Sequence, residues 1–345
     1  LKIDIDILIK REPTTMKRRH FLQTSAAGAA VIAAPWVARA QAKPKVTYAY
    51  LLDPVYDSVV WAIRKGKVRS DLIDVEATGA NIPTLLQATA TKQFDIVMTA
   101  VIGVPAAAAR GLDLRILSAA LYQSSHGEGG GVWVKKDSPI KDPRALKGKT
   151  LASYGLRSTG YMYVREAMRK EFGLNMALEG GDVKQVEVVA PNLPAALATG
   201  QADAASLIHS QAFRARASGE FVNICESGVI MNKHYGRTVS AVNVGYPERL
   251  AARGDQFREF NRMMRESVEY ALKNRDEVFS DLAKVNNIDR AFFDWWFDRT
   301  TEVPGTFTAA HAKAVTTGWE IGKNFAMIKD VPDVGKLTWE HALRT

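Results

Sequence analysis

The chain has 345 residues, 46 Lys plus Arg against 37 Asp plus Glu for a formal net charge of +9, 47% hydrophobic residues and one cysteine. Its length suits about two domains with ample core, and the lone Cys225 excludes an intramolecular disulfide, a four-cysteine zinc site and a Cys-x-x-Cys redox pair. A surplus of +9 points to nucleic acid or a membrane surface only where it forms a block on the folded part, and much of it lies at the front of the chain.

From Met16 the chain reads Met-Lys-Arg-Arg-His-Phe-Leu, then an alanine-rich stretch over Ser25 to Ala34, then small residues up to Ala40-Gln41-Ala42. Charged, apolar and small residues in that order make a secretory signal. The pair Arg18-Arg19 followed by Phe21-Leu22 resembles the twin-arginine export signature. Ala40-Gln41-Ala42 predicts cleavage before Lys43, with Ala38-Arg39-Ala40 as a second option. The apolar run is shorter than the ~20 residues of a spanning helix. Leu1 to Thr15 precede the signal and are expected to be an upstream extension. Residues 1–42 hold seven Lys or Arg and three acids, which leaves the rest a surplus of about five charges. No basic block or basic–aromatic interleaving accompanies it, so nucleic acid is not an expected partner.

After Lys43 short apolar runs alternate with helical patterns, the signature of parallel strands joined by crossover helices, and the chain reads as α/β. Strands are predicted over 46–52, 73–78, 95–100, 115–122 and 132–135, with helices over 58–67, 83–91 and 103–110 between the first four. Gly127-Glu128-Gly129-Gly130-Gly131 reads as a hinge or turn. A capped turn at Asp142-Pro143, a strand over 150–153 and a helix over 159–170 begin a second lobe. A strand over 237–246 follows later. After Pro247 the pattern is helical, over 256–274, 276–286, 290–299 and 308–325. The dense stripe from Phe292 to Phe297 reads as a docking face rather than an aromatic cage.

A weak internal repeat divides this region in two. Asn81-Ile82-Pro83, an apolar helix, Lys92-Gln93-Phe94-Asp95 and a buried strand recur as Asn192-Leu193-Pro194, a helix, Gly200-Gln201-Ala202-Asp203 and Ala204 to Ile208. The second copy is three residues shorter between Asn and Asp, close to one helical turn. In each copy Asn is expected to cap the helix, with Pro in its first turn.

No catalytic constellation emerges. His126-Gly127-Glu128 lacks the Pro-Cys-x-x-Cys partner of a zinc deaminase, and Gly155-Leu156-Arg157-Ser158 lacks the glycine two positions before serine that a nucleophile elbow needs. Phosphate-loop, dinucleotide and His-Glu-x-x-His motifs are absent from the sequence. What stands out is a pair of helix starts, one per lobe, each following a strand end. Open α/β sheets bind ligands there, where helix N-termini offer free N–H donors. The candidate lining is Tyr56, Asn81, Thr99 and Tyr122 from one lobe, with Arg157, Ser158, Thr159, Asn192 and His209 from the other. Arg157 has the chemistry to hold a carboxylate or sulfonate bidentately; its alternative is a solvated surface arginine.

Gly131-Val132-Trp133-Val134-Lys135-Lys136-Asp137-Ser138-Pro139-Ile140, then Leu146-Lys147-Gly148-Lys149-Thr150, then Pro194 to Asp203 resemble the substrate-binding proteins of ABC importers, of the nitrate, sulfonate and taurine type. The resemblance implies a bilobal type II periplasmic-binding-protein fold, with residues 43–128 and 240–345 in the first lobe and 129–239 in the second. It implies ligand contacts at Asn81, Thr99-Ala100-Val101, Arg157 to Thr159, Asn192 and the segment after Ile208. Many relatives carry Trp or Glu with Pro just after that strand, where this chain has Ile208-His209-Ser210. The implied function is a periplasmic receptor, monomeric and without cofactor, metal or catalysis, that passes a small organic anion to a membrane permease with a separate ATPase. The rivals are a periplasmic enzyme on the same fold and a ligand-binding sensory partner. The group also resembles pyrimidine-precursor proteins of thiamine biosynthesis, whose cysteine-rich motif this chain lacks.

Overall fold

A computed structural model of the protein describes residues 42–342. The upstream extension and export signal expected over residues 1–42 lie, Ala42 apart, outside the described residues.

Strand β1 (Lys45–Leu51) carries buried residues on both faces, as a central parallel strand does. Asp53, extended, accepts the Val55 amide through its side chain at 3.1 Å, and Pro54 takes the first helical position. Helix α1 (Pro54–Arg64) therefore starts four residues before the predicted Ser58. A capped Asp-Pro start outranks the apolar period that begins at Ser58. The chain continues through β2 (Asp74–Ala80), α2 (Ile82–Ala90), β3 (Ile96–Ala100), α3 (Gly103–Ala108) and β4 (Arg115–Gln123).

It then crosses to a second sheet through β5 (Gly130–Lys135), β6 (Thr150–Ser153), α4 (Thr159–Phe172), β7 (Lys184–Glu187), α5 (Leu193–Ala198) and β8 (Ala204–Ile208). Helix α6 (His209–Ser218), β9 (Phe221–Cys225) and α7 (Ser227–Tyr235) complete that sheet. Strand β10 (Val239–Gly245) returns to the first, antiparallel between β3 and β4. The strand orders are β11-β4-β10-β3-β1-β2 and β7-β6-β8-β5-β9, with β11 at Thr301–Glu302. Two mixed α/β sheets with helices on their faces make a bilobal α/β fold.

The repeat is a structural one. In both sheets the first parallel strand lies between its two successors, as β3-β1-β2 and as β8-β6-β7. Helix α2 has nine residues and α5 six, the expected difference of a turn. The expectation that both asparagines cap is corrected. Asn81 accepts the Thr84 amide at 2.9 Å, but Asn192 is helical already (φ −92°, ψ −8°) and makes no cap bond. A 3₁₀ turn over Ala190–Asn192 runs straight into α5, so no extended cap position exists there.

The tail supplies α8 (Pro247–Ala252), α9 (Gly254–Lys273), α10 (Arg275–Asn286), α11 (Ala291–Trp295), α12 (Ala309–Asn324) and α13 (Val334–Leu337). Phe257, Phe260, Met264 and Val268 form the buried face of α9, which lies on α1 and β1. The helix predicted over 290–299 is divided: α11 passes at Trp296 into a π turn, Trp296–Thr300. Phe292, Phe293, Trp296 and Phe297 are buried, and Phe293 and Phe297 stack on Phe279. Helix α12 touches β10 and α4, and Trp319 Nε1 donates to the Val101 carbonyl at 2.9 Å.

Candidate ligand-binding site

The ends of β1 and β8 meet across the two lobes. His209, first residue of α6, holds φ at +49°, a left-handed backbone that non-glycine residues avoid unless their surroundings enforce it. Its Nδ1 lies 3.0 Å from Asp53 Oδ2. A carboxylate only accepts, so this nitrogen carries the proton and donates. The other Asp53 oxygen caps α1. The imidazole meets Trp296 edge to face with centroids 4.5 Å apart, and Tyr56 at 6.4 Å. Trp296 opens the π turn, a feature often found at functional sites.

Among the described residues, two buried polar atoms in this cluster lack a protein partner: Tyr56 Oη and Trp296 Nε1. Their side chains are 3% and 1% exposed. Burial first, then the Asp53 carboxylate, holds the Tyr56 phenol well above its ordinary range, so it is a neutral donor. Tyr154, at the end of β6, adds to the same effect from the second lobe, and burial raises its own phenol too.

The structure thus brings Tyr56 and His209 together, and places the other predicted residues around or away from them. Ser158 caps α4, accepting the Tyr161 amide at 3.2 Å. Thr159 is buried, and its Oγ1 accepts the Ile102 amide of the first lobe at 3.1 Å. Thr99 and Ala100 end β3, half-buried, three and two residues before Ile102. Tyr122 lies under the Arg237 guanidinium, 3.8 Å from its ring centroid, and against His311 at 4.6 Å. Asn81, Asn192 and Arg157 are exposed. Among the described residues Arg157 has no hydrogen bond or ion pair.

Asp53, Tyr154 and Trp296 are members of the cluster that the predicted ligand lining does not contain. Asp53 carries a local signal, an Asp-Pro pair at a strand end. Trp296 belongs to the aromatic stripe Phe292 to Phe297, which the sequence marks as a docking face, and it reaches the cleft from the far end of the chain. Behind Tyr56 the first lobe encloses a cavity of about 10 Å³, bordered by Tyr48, Tyr50 and Asn243, with room for about one water and no solute. An open groove near 540 Å³ lies at the outer edge between α6 and residues 283–289. It holds none of the candidate residues. Among the described residues no group of three His, Cys, Asp or Glu is placed to hold a metal ion, and no helix is long and apolar enough to cross a membrane. Cys225 is buried, which pushes its thiol up to about 12.

The alkanesulfonate-binding protein SsuA from Xanthomonas axonopodis pv. citri, bound to MOPS, is similar in fold, with a TM-score of 0.69 at 16% identity over 88% of this chain and 100% of that one. The periplasmic aliphatic sulphonate binding protein SsuA from Escherichia coli gives 0.67 at 15% identity, over 88% and 94%. A Candida albicans protein described as having the generic periplasmic binding protein structural fold gives 0.66 at 13% identity, over 88% and 98%. No curated protein sequence matches. The model of the family described as NMT1/THI5 like matches residues 60–278, well over half of the chain, and the chain belongs to that family.

Proposed function

We propose that this chain is the solute receptor of an ABC importer, which encloses a small molecule between its two lobes, leaves it chemically unchanged and hands it to a membrane permease with a separate ATPase. The carrying observation is the cluster at the lobe junction. Asp53 and Tyr56 from one lobe meet His209 from the other, and two buried donors there have no protein partner among the described residues. Family membership and the fold of sulfonate-binding neighbours support the reading. On it, residues 43–128 with 240–345 and residues 129–239 are the two moving bodies. Ligand entry needs hinge opening, because Asp53 and His209 touch. Arg18-Arg19 directs export to the periplasm by the twin-arginine route, and replacing both by lysine should abolish it. The mature protein acts as a monomer.

The expectation of an organic anion rests on Arg157 and on open helix N-termini. Arg157 is exposed, and the starts of α1, α2 and α4 are filled by Asp53, Asn81 and Ser158. Sulfonates, nitrate and carboxylates therefore form one arm of the test, and planar nitrogen compounds the other. The test is the melting temperature of the protein from Lys43 in each class. A ligand at about 100 times its Kd adds ~2.7 kcal/mol, and a compound that shifts the melt should be recovered unchanged. Turnover of that compound would overturn the reading. Delivery is measured as stimulated ATP hydrolysis by the reconstituted importer.

A further inference from the structure

We propose that the His209 side chain is a built-in stand-in for the ligand: it fills the recognition position on Asp53, and the solute that displaces it presents a planar N–H donor of the amidinium or azole kind. The proposal rests on the receptor reading and names its ligand class.

Three observations carry it. First, the contact is of the kind a ligand would make. A flat ring donates one N–H to Asp53 Oδ2 at 3.0 Å and meets Trp296 and Tyr56 edge to face, with centroids 4.5 and 6.4 Å away. Second, the ring is held there against its backbone, with φ at +49° on a non-glycine residue. A contact maintained by strain is one that a better donor can replace with relief. Third, the surroundings are under-satisfied. Tyr56 Oη and Trp296 Nε1, on side chains 3% and 1% exposed, have no protein partner among the described residues. Buried polar groups in that condition ask for a partner from outside the fold. The Tyr56 hydroxyl can accept as well as donate, so it can take a second N–H of a planar donor whose first is directed at Asp53, while Trp296 Nε1 donates only and suits the acceptor edge of an azole.

The charge at the junction agrees. Asp53 is the acid of the cluster, and it occupies the N-terminus of α1, where an anionic ligand would otherwise be held. An anion placed on Asp53 would meet like charge.

Two substitutions test this without removing the fold's own supports. His209→Gly deletes the ring and suits the left-handed backbone. Asp53→Asn keeps a good N-cap for α1 and removes the charge. Titration calorimetry with benzamidine and with methanesulfonate, on the wild-type protein and both variants, gives the readout. Benzamidine should bind His209→Gly about tenfold or more tightly than wild type, the scale of one charge-assisted hydrogen bond no longer competed for. Asp53→Asn should lose most benzamidine affinity. Benzamidine affinity that is unchanged by both substitutions would overturn the proposal. So would a gain for methanesulfonate on His209→Gly; the receptor reading would then stand, with His209 keeping the place of an anion. If neither probe binds any of the three proteins and no compound of the wider panel shifts the melt, both readings fall together.

Discussion

Asp203 does in the second lobe what Asp95 does in the first. Asp95 Oδ2 accepts the Thr47 amide of β1 at 3.0 Å, and Asp203 Oδ2 accepts the Thr150 amide of β6 at 2.8 Å. Each aspartate also donates its own amide back to that threonine's carbonyl, at 3.1 and 3.0 Å. Each stands three residues after a left-handed helix end, Lys92 at φ +53° and Gly200 at φ +77°. The pair of rings pins the start of one strand to the start of its neighbour, which sets the register of a parallel sheet at the end opposite the cleft.

The two pins differ in burial, and their removal should differ in effect. Asp95 is buried and its Oδ1 also takes Arg253 at 2.8 Å and Arg249 at 3.4 Å, whereas Asp203 is exposed. Asp95→Ala strands two arginines that are about a third exposed, so its effect falls below that of a fully buried pair, at about 2–3 kcal/mol. Asp203→Ala should cost about 1 kcal/mol, one hydrogen bond near solvent. Urea denaturation decides, and equal losses would show that the arginines contribute nothing.

This repeat was legible in the sequence because it is local. Helix length, a turn at Lys92 or Gly200 and a following apolar strand lie within a window of some twenty residues, as does the one-turn difference between α2 and α5. Asn192 looks like Asn81 by residue type, and only the turn before it, built by Ala190-Pro191, shows that it cannot cap. The site was half legible. Tyr56 and His209 follow strand ends, where ligands gather in such folds. Asp53 was hidden behind a helix start placed too late. Trp296 belongs to a different stretch of chain, and its distance from His209 is a tertiary fact that no periodicity encodes.

The Thr159–Ile102 bond predicts a closure effect. Thr159 Oγ1 accepts the Ile102 amide across the lobes at 3.1 Å. Thr159→Val keeps the shape and leaves that amide unpaired, a penalty of about 1–3 kcal/mol if it stays buried. Opening of the lobes would return the amide to water, so the variant should shift towards the open form. A larger radius of gyration by small-angle scattering is expected. An unchanged radius with lower stability would show that the bond supports the fold rather than closure.

Gly129 sits in the first crossover at φ +116°, and a Cβ there would lie 2.7 Å from Thr300 Oγ1 and 2.9 Å from Thr300 Cβ. Gly129→Ala meets both backbone strain and a clash, and should cost about 2 kcal/mol or more. Gly111 is the control, at φ +78° with nothing within 4 Å. There Gly111→Ala brings backbone strain alone, about 1 kcal/mol. Denaturation midpoints compare the two, and an equal loss would remove the crossover packing from the account.

His311 predicts how stability depends on pH. It is buried at the start of α12, where Thr308 and His311 form a reciprocal cap: Thr308 Oγ1 accepts the His311 amide, and His311 Nδ1 accepts the Thr308 amide at 3.1 Å. That second bond requires an unprotonated Nδ1. Burial first, then the Arg237 guanidinium, lowers the pKa of His311 from 6.5, against smaller opposing effects of Glu302 and the Thr306 backbone. The fold therefore favours the neutral ring. Its contribution is complete above the unfolded value of 6.5, declines as pH falls through that value, and levels off below the folded pKa. Glutamine at the same helical position closes a capping box without titrating. His311→Gln should therefore lose less stability than the wild-type protein between about pH 7.5 and pH 5.5, a window chosen around the reference histidine pKa of ~6.5. Equal losses in the two proteins would assign the pH dependence to other groups, and a larger loss in the variant would mean that the ring is protonated in the fold, which the Thr308 contact does not allow.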